Sequence, residues 1–106
     1  MFGLVGSLTA AEGRGDELEG YLLEASRELG QVSTCHLYLV SRVPDEPEVV
    51  HVVEVWDDEG AHRASLELAA VQRLISRARP IIVGMGDRVG LRPVGGKGLD
   101  PTATSG

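Results

Sequence analysis

The fold of this chain is decided by one stretch, Val49–Leu66, which reads VVHVVEVWDDEGAHRASL. The first part of it, Val49–Trp56, is almost continuously apolar, which is typical of a central β-strand covered on both faces. The two aspartates that follow are good helix N-caps, so the chain is expected to turn there into a helix whose first turn holds His62. Since side chains alternate along a strand, Glu54 and Trp56 share a face. The stretch therefore brings an indole, a carboxylate and an imidazole to one strand-to-helix corner.

The segments on either side predict three further strands and one further helix. Strands are expected at Phe2–Thr9, Thr34–Arg42 and Ile81–Arg92, and a helix capped by Asp16 is expected to end at Gly30. Glycines at 84, 86 and 90 indicate a bulge or a close backbone approach in the last strand. The helix after Trp56 should bend or break near Leu68, where its apolar spacing is irregular, and should stop at Pro80.

This order of elements, β-α-β-β-α-β, predicts a ferredoxin-like α+β domain over residues 1–93, with an antiparallel sheet and both helices on one face. Residues 94–106 are rich in Gly, Pro, Ser and Thr, which is typical of a flexible tail. Both faces of the sheet receive apolar side chains, more than one layer of two helices can cover: Val49, Val50, Val53, Val55, Val83 and Met85. A homodimer that packs sheet against sheet would cover the second face.

Composition narrows the class of partner. The net charge of −6 and the lack of a basic stripe argue against nucleic acids and anionic membrane surfaces. No apolar stretch approaches the ~20 residues of a membrane span, and the start of the sequence does not resemble a secretory signal. Cys35 is the sole cysteine, so neither an internal disulfide nor a multi-cysteine metal site is possible. We expect a cytoplasmic protein.

Three residues at the corner can carry chemistry. Glu54 is either a proton acceptor or the partner of an arginine such as Arg42 or Arg88, since a carboxylate between valines needs one if buried. Trp56 either stacks on a flat ligand or pins the helix to the sheet. His62 is either a neutral imidazole that accepts a phenolic proton at a helix N-terminus, or a surface or capping residue.

Two further residues, His36 and Tyr38, are expected to share a strand face, where they either line the same cavity or stand at the dimer interface. No two histidines have metal-ligand spacing, and all three lie on different predicted elements, so no metal site is predicted. The adjacent Cys35 and His36 should point to opposite faces and cannot form a catalytic pair.

The segment Glu54-Val55-Trp56, followed by Asp57–His62, resembles the Glu-x-Trp…Ala-His segment of the antibiotic biosynthesis monooxygenase family. The resemblance covers about residues 1–93. It implies a dimeric α+β barrel and a cofactor-independent monooxygenase, with neither metal nor flavin, that oxidises phenols, anthrones or quinols with O2 to quinones. It further implies that Trp56 orients the rings or the oxygen adduct and that His62 or Glu54 handles the proton. The substrate pocket would be lined by His36, Tyr38, Val52 and Leu66.

Two departures from the family pattern keep other functions open. Polyketide-oxidising relatives often carry an asparagine where this chain has Val52, and haem-degrading relatives carry a haem-ligating histidine where it has Leu66. Haem degradation is therefore not expected. A non-catalytic small-molecule-binding or accessory barrel protein remains an alternative, as does a polyketide cyclase or isomerase with Glu54 or His62 as its base.

Overall fold

The structure, a computed structural model, describes residues 1–99. Its strands are β1 (Phe2–Ala10), β2 (Cys35–Arg42), β3 (Val49–Trp56), β4 (Ile82–Met85) and β5 (Val89–Leu91). Its helices are α1 (Gly15–Leu29), α2 (Glu59–Ser65) and α3 (Ala69–Ala78), and a 3₁₀ turn, Arg79–Ile81, leads into β4. Of the predicted tail, residues 94–99 form neither helix nor strand, and residues 100–106 lie outside the described part of the chain.

The five strands form one antiparallel sheet in the order β2-β3-β1-β4, with β5 also paired to β1. This arrangement confirms the predicted ferredoxin-like α+β fold. β1 pairs with β3 so that Leu4 lies opposite Glu54 and Gly6 lies opposite Val52. That register decides which side chains of the two central strands meet on the helix-covered face.

The predicted last strand is divided into β4 and β5, both of which pair with β1. Residues 86–88 connect them, and the backbone N–H of Gly86 donates to the carbonyl of Ser7 at 3.0 Å. A Cβ on Gly86 would collide with the Ser7 hydroxyl. The two backbones approach closely at this point, as the glycine pattern indicated, and a side chain on residue 86 would force the Ser7 hydroxyl to move.

The helix that follows β3 breaks where its apolar spacing became irregular: α2 ends at Ser65 and α3 begins at Ala69. Asp58 caps α2, because its Oδ1 accepts the backbone N–H of Ala61 at 2.7 Å. The cap predicted for α1 is wrong. That helix begins at Gly15 without a side-chain cap, and the carboxylate of Asp16 instead pairs with Arg42 of β2.

The core lies between the sheet and the helices in two clusters. One contains Ala10, Leu18, Val50, Ala78 and Ile81, and the other contains Leu29, Trp56 and Val71. On the opposite face of the sheet Leu39 is 49% exposed and Val83 is 67% exposed. This is the face that a second copy of the chain was predicted to cover. None of the helices in residues 1–99 is both long and apolar enough to cross a membrane.

Candidate functional site

A cavity of about 450 Å³ opens between the helix-covered face of the sheet and the three helices. Most of its wall is aliphatic. The polar groups in the wall include one carboxylate, Glu54, and one imidazole, His62, together with the hydroxyl of Tyr38. A cavity that is mostly apolar with a few converging polar groups is the usual form of a small-molecule site.

Glu54 and His62 meet in this wall. Oε1 of Glu54 lies 3.7 Å from Nε2 of His62, and the two side chains are only 15% and 10% exposed. The same Oε1 accepts the indole N–H of Trp56 at 3.1 Å. His62 stands edge-on to the Trp56 ring at 5.7 Å between centroids and packs beside Phe2 at 6.0 Å. The three groups predicted to meet at the strand-to-helix corner are therefore in contact.

Burial is the main influence on Glu54, and it raises the pKa of the carboxyl above the ordinary value of 4.5. The hydrogen bond from Trp56 acts in the opposite direction, followed by the imidazole of His62 and the guanidinium of Arg88. The net effect on the pKa is upward, so Glu54 takes up a proton more readily than an exposed glutamate does. A carboxyl poised in this way suits a general base.

Tyr38 lies opposite Glu54 in the register of β2 and β3, and it also lines the cavity. Burial, the negative charge of Glu54 and the neighbouring Cys35 all raise the pKa of its phenol far above the ordinary value. Tyr38 therefore stays protonated and can serve the cavity as a hydrogen-bond donor, whereas it cannot serve as a base.

His36 does not join this group, and the prediction that it shares a face with Tyr38 is wrong. The pairing of β2 with β3 shifts by one residue between Cys35 and Leu37, which is a β-bulge at His36. The bulge puts Cys35 with Tyr38 on the core side, while the His36 imidazole pairs with Asp57 outside the cavity.

Trp56 is fully buried and is not part of the cavity wall. Its ring packs in the core with Leu29 and Val71, at the end of β3. The stacking on a flat ligand that was expected of it therefore does not fit this structure. Its polar contribution is the hydrogen bond that holds the Glu54 carboxylate.

Sequence comparison identifies the family. The sequence model of the family described as Antibiotic biosynthesis monooxygenase matches residues 1–77. The chain belongs to this family. It is similar to a protein from Chloroflexus aurantiacus that is provisionally described as an antibiotic biosynthesis monooxygenase. The two are 34% identical with a TM-score of 0.85, over 93% of this chain and 98% of that one.

More distant solved structures share the fold. A Deinococcus radiodurans protein with the same provisional description is 24% identical with a TM-score of 0.77, over 91% of this chain and 95% of that one. A Caulobacter crescentus protein so described is 19% identical with a TM-score of 0.79, over 89% of this chain and 90% of that one. No functionally curated protein matches the chain significantly.

The remaining candidate residues of this antibiotic biosynthesis monooxygenase family member either line the cavity or lie on the opposite face of the sheet. Val52 and Leu66, two of the predicted substrate-binding residues, line the cavity. His51 lies on the opposite face, 3.6 Å from Glu46, so it is separate from Glu54, also as predicted. No group of three potential metal ligands occurs within residues 1–99.

Arg88 was anticipated only as a charge partner of Glu54, yet it also lines the cavity. The other suggested partner, Arg42, pairs with Asp16 and Glu19 instead. The sequence signal near Arg88 was the interruption of the predicted strand by Gly86 and Gly90, which flank it where β4 and β5 are separated. Only the pairing of both strands with β1 shows that the link between them brings residue 88 to the cavity.

Proposed function

We propose that this protein is a cofactor-independent monooxygenase that oxidises a phenolic, anthrone or quinol-like substrate with O2 to a quinone. The observation that carries the proposal is the Glu54–His62 pair in the wall of an otherwise largely apolar cavity. Family membership supports oxygen chemistry, and the pair supports the proton transfer with which such chemistry would begin.

In the first step the Glu54 carboxylate takes the hydroxyl proton of the substrate, or the α-proton of an anthrone. Burial favours protonated Glu54, which makes the acceptor stronger than an exposed carboxylate. His62, 3.7 Å away, is placed to share the proton or to pass it on. Tyr38, which stays protonated, is placed to donate to the anion that forms. Aliphatic walls keep water from that anion.

The oxygen step then uses electrons from the substrate itself. The substrate anion gives one electron to O2, and the resulting radical and superoxide combine to form a carbon–oxygen bond. Protonation gives a hydroperoxide, whose O–O bond breaks as water leaves. For an anthrone, the ring CH2 becomes a carbonyl, one oxygen atom enters the product and the other leaves as water. The electrons balance without an external donor.

We further propose that two copies pack through the sheet face that carries Leu39 and Val83, since it leaves large aliphatic side chains in water. Sedimentation velocity on the purified protein tests this assembly. A dimer that becomes monomeric in Leu39→Glu is expected, whereas a monomeric native protein would contradict it.

The enzymatic proposal is tested by oxygen uptake with metal-stripped, flavin-free protein and a panel of hydroquinones and anthrones. Glu54→Gln and His62→Asn should each lower the protein-dependent rate at least tenfold. The matched control is Glu59→Gln, because Glu59 lies on the same helix as His62 but is exposed, pairs with Arg63 and does not line the cavity. Absence of uptake by the native protein, or an equal loss in the control variant, would overturn the proposal.

One observation favours a second candidate. A buried carboxyl with a raised pKa also suits an isomerase or cyclase that moves a proton without using oxygen. Under argon such an enzyme would exchange the α-proton of an anthrone for deuterium and release a rearranged product. Exchange without rearrangement, followed by quinone formation when air is admitted, supports the monooxygenase. Ring compounds that bind with neither exchange nor oxygen uptake indicate a binding protein.

A further inference from the structure

The cavity wall carries more positive than negative side chains, whereas the molecule as a whole is negatively charged. The whole chain has a net charge of −6, but the wall contains one carboxylate, Glu54, and two guanidinium groups, Arg79 and Arg88. A cleft with low-dielectric walls strengthens the field of the charges that line it. The cavity is thus more favourable to anionic ligands than the remainder of the surface is.

Arg88 reaches this wall by lying across β1. Gly6 belongs to the helix-covered face of β1, and a Cβ on it would stand 3.4 Å from Cγ of Arg88. The aliphatic stem of Arg88 therefore lies close to β1 at this point, although a small side chain on Gly6 would also fit beside it. Arg88 thus lines the cavity while it stays exposed to solvent.

Within residues 1–99 the donors of the Arg88 guanidinium have no hydrogen-bond or ion-pair partner. Arg14, Arg42 and Arg63 each pair with a carboxylate of the chain. Arg88, by contrast, forms neither an ion pair nor a hydrogen bond with the side chains of residues 1–99. It is close enough to influence the pKa of Glu54 but does not pair with it. A cavity-lining guanidinium with free donors suits a carboxylate, which it can bind through two parallel hydrogen bonds.

The register between β1 and β3 sets the distance between Glu54 and Gly6, the glycine that Arg88 contacts. Glu54 lies opposite Leu4, and Gly6 is two residues further along the same face of β1. Diagonal neighbours of this kind lie about 7–8 Å apart, with their Cβ atoms somewhat closer. Fused aromatic rings can span such a gap, with a hydroxyl at Glu54 and a charged group at Arg88.

We propose that the substrate is an aromatic compound that carries a carboxylate, and that Arg88 binds this carboxylate while Glu54 receives the hydroxyl at the other end of the rings. This inference rests on the proposed function in that it takes the cavity as the substrate site. It adds a substrate class, and it makes Arg88 a residue that determines specificity.

The test is calorimetric titration under argon, which prevents turnover, with 6-hydroxy-2-naphthoate and its neutral carboxamide as probes. The acid is expected to bind at least tenfold more tightly than the amide. Arg88→Gln should remove most of that preference and leave amide binding unchanged, and Arg88→Lys should retain part of it. Arg92→Gln is the matched control, because Arg92 is exposed near the same sheet edge but does not line the cavity.

Three results would overturn the inference: equal binding of acid and amide, a preference that survives Arg88→Gln, or an equal loss of both probes in that variant. Equal loss would show that Arg88 shapes the cavity without reading charge. The outcomes remain separable from the proposed function. A carboxylate preference without any oxygen uptake refutes the monooxygenase alone, whereas uptake with neutral anthrones and no preference refutes the Arg88 assignment alone.

Discussion

The indole N–H of Trp56 donates to Oε1 of Glu54 at 3.1 Å, from two residues further along the same face of β3. The alternation of the strand places both groups on that face, and burial of the ring fixes the donor. This hydrogen bond favours the ionised carboxylate, whereas burial favours the protonated form. The pKa of Glu54, the candidate base, therefore depends on two opposing effects: burial in the apolar cavity wall raises it, and the hydrogen bond from Trp56 lowers it.

Replacing Trp56 by Phe should shift the pH dependence of turnover. Loss of the donor raises the pKa of Glu54 further, so the rising limb of kcat/KM moves to higher pH. Activity should fall severalfold on the acid side of that limb and recover at alkaline pH. A pH–rate profile checks this, and circular dichroism verifies that the variant is folded. A uniform loss at every pH would instead indicate a purely structural role for Trp56.

Replacing Glu54 by Gln should stabilise the protein while it removes activity. The folded-state pKa of Glu54 lies above its unfolded value. The contribution of Glu54 to the free energy of unfolding is therefore fully present below the ordinary value of 4.5 and is lost as the pH rises through the raised pKa. Glutamine keeps an acceptor for the indole and carries no charge. The variant should melt at a higher temperature than the native protein at neutral pH, and the difference should shrink below pH 4.5.

Glu46→Gln is the control for that experiment, since Glu46 lies on the other side of the sheet beside His51. Melting curves collected across the pH range separate the two variants. A Glu54→Gln protein that is less stable than native at neutral pH would mean that the carboxylate is held by more than the indole and the neighbouring cations.

Leu66 both lines the cavity and faces solvent. It is 41% exposed, so a larger side chain there should obstruct entry at little cost in stability. In Leu66→Trp, turnover of three-ring anthrones should fall at least tenfold, and one-ring hydroquinones should be less affected. Leu68→Trp is the control, because Leu68 is 40% exposed in the same link between helices but does not line the cavity. Equal effects of the two changes would argue against this entrance.

Asp58 stabilises the helix that carries His62. Its Oδ1 accepts the backbone N–H of Ala61, so Asp58→Ala should cost about 1 kcal/mol in the free energy of unfolding. Because α2 holds His62 beside Glu54, turnover should fall together with stability. Urea denaturation measures the first effect and oxygen uptake the second. Asp58→Asn retains an acceptor and should restore most of both, and a full loss in Asp58→Asn would show that the charge matters more than the cap.

Local chemistry was sufficient to predict much of the fold. The apolar run Val49–Trp56 is β3, Asp58 caps the next helix, and the irregular spacing near Leu68 marks the break between α2 and α3. Such features depend on neighbours within a few residues, so they can be inferred from the sequence. The division between His51 on one face and Glu54 on the other follows equally from strand alternation.

What the sequence by itself determined is the α+β order of elements and the meeting of Glu54, Trp56 and His62 at one corner. Tertiary structure alone decided that His36 is bulged out of the site, that Trp56 is buried behind Glu54, and that Arg88 reaches the cavity across Gly6. The physical reason is that alternation holds only while strand pairing is regular. A one-residue bulge, the packing of a large ring, or a crossing over a distant glycine depends on partners far away in the sequence.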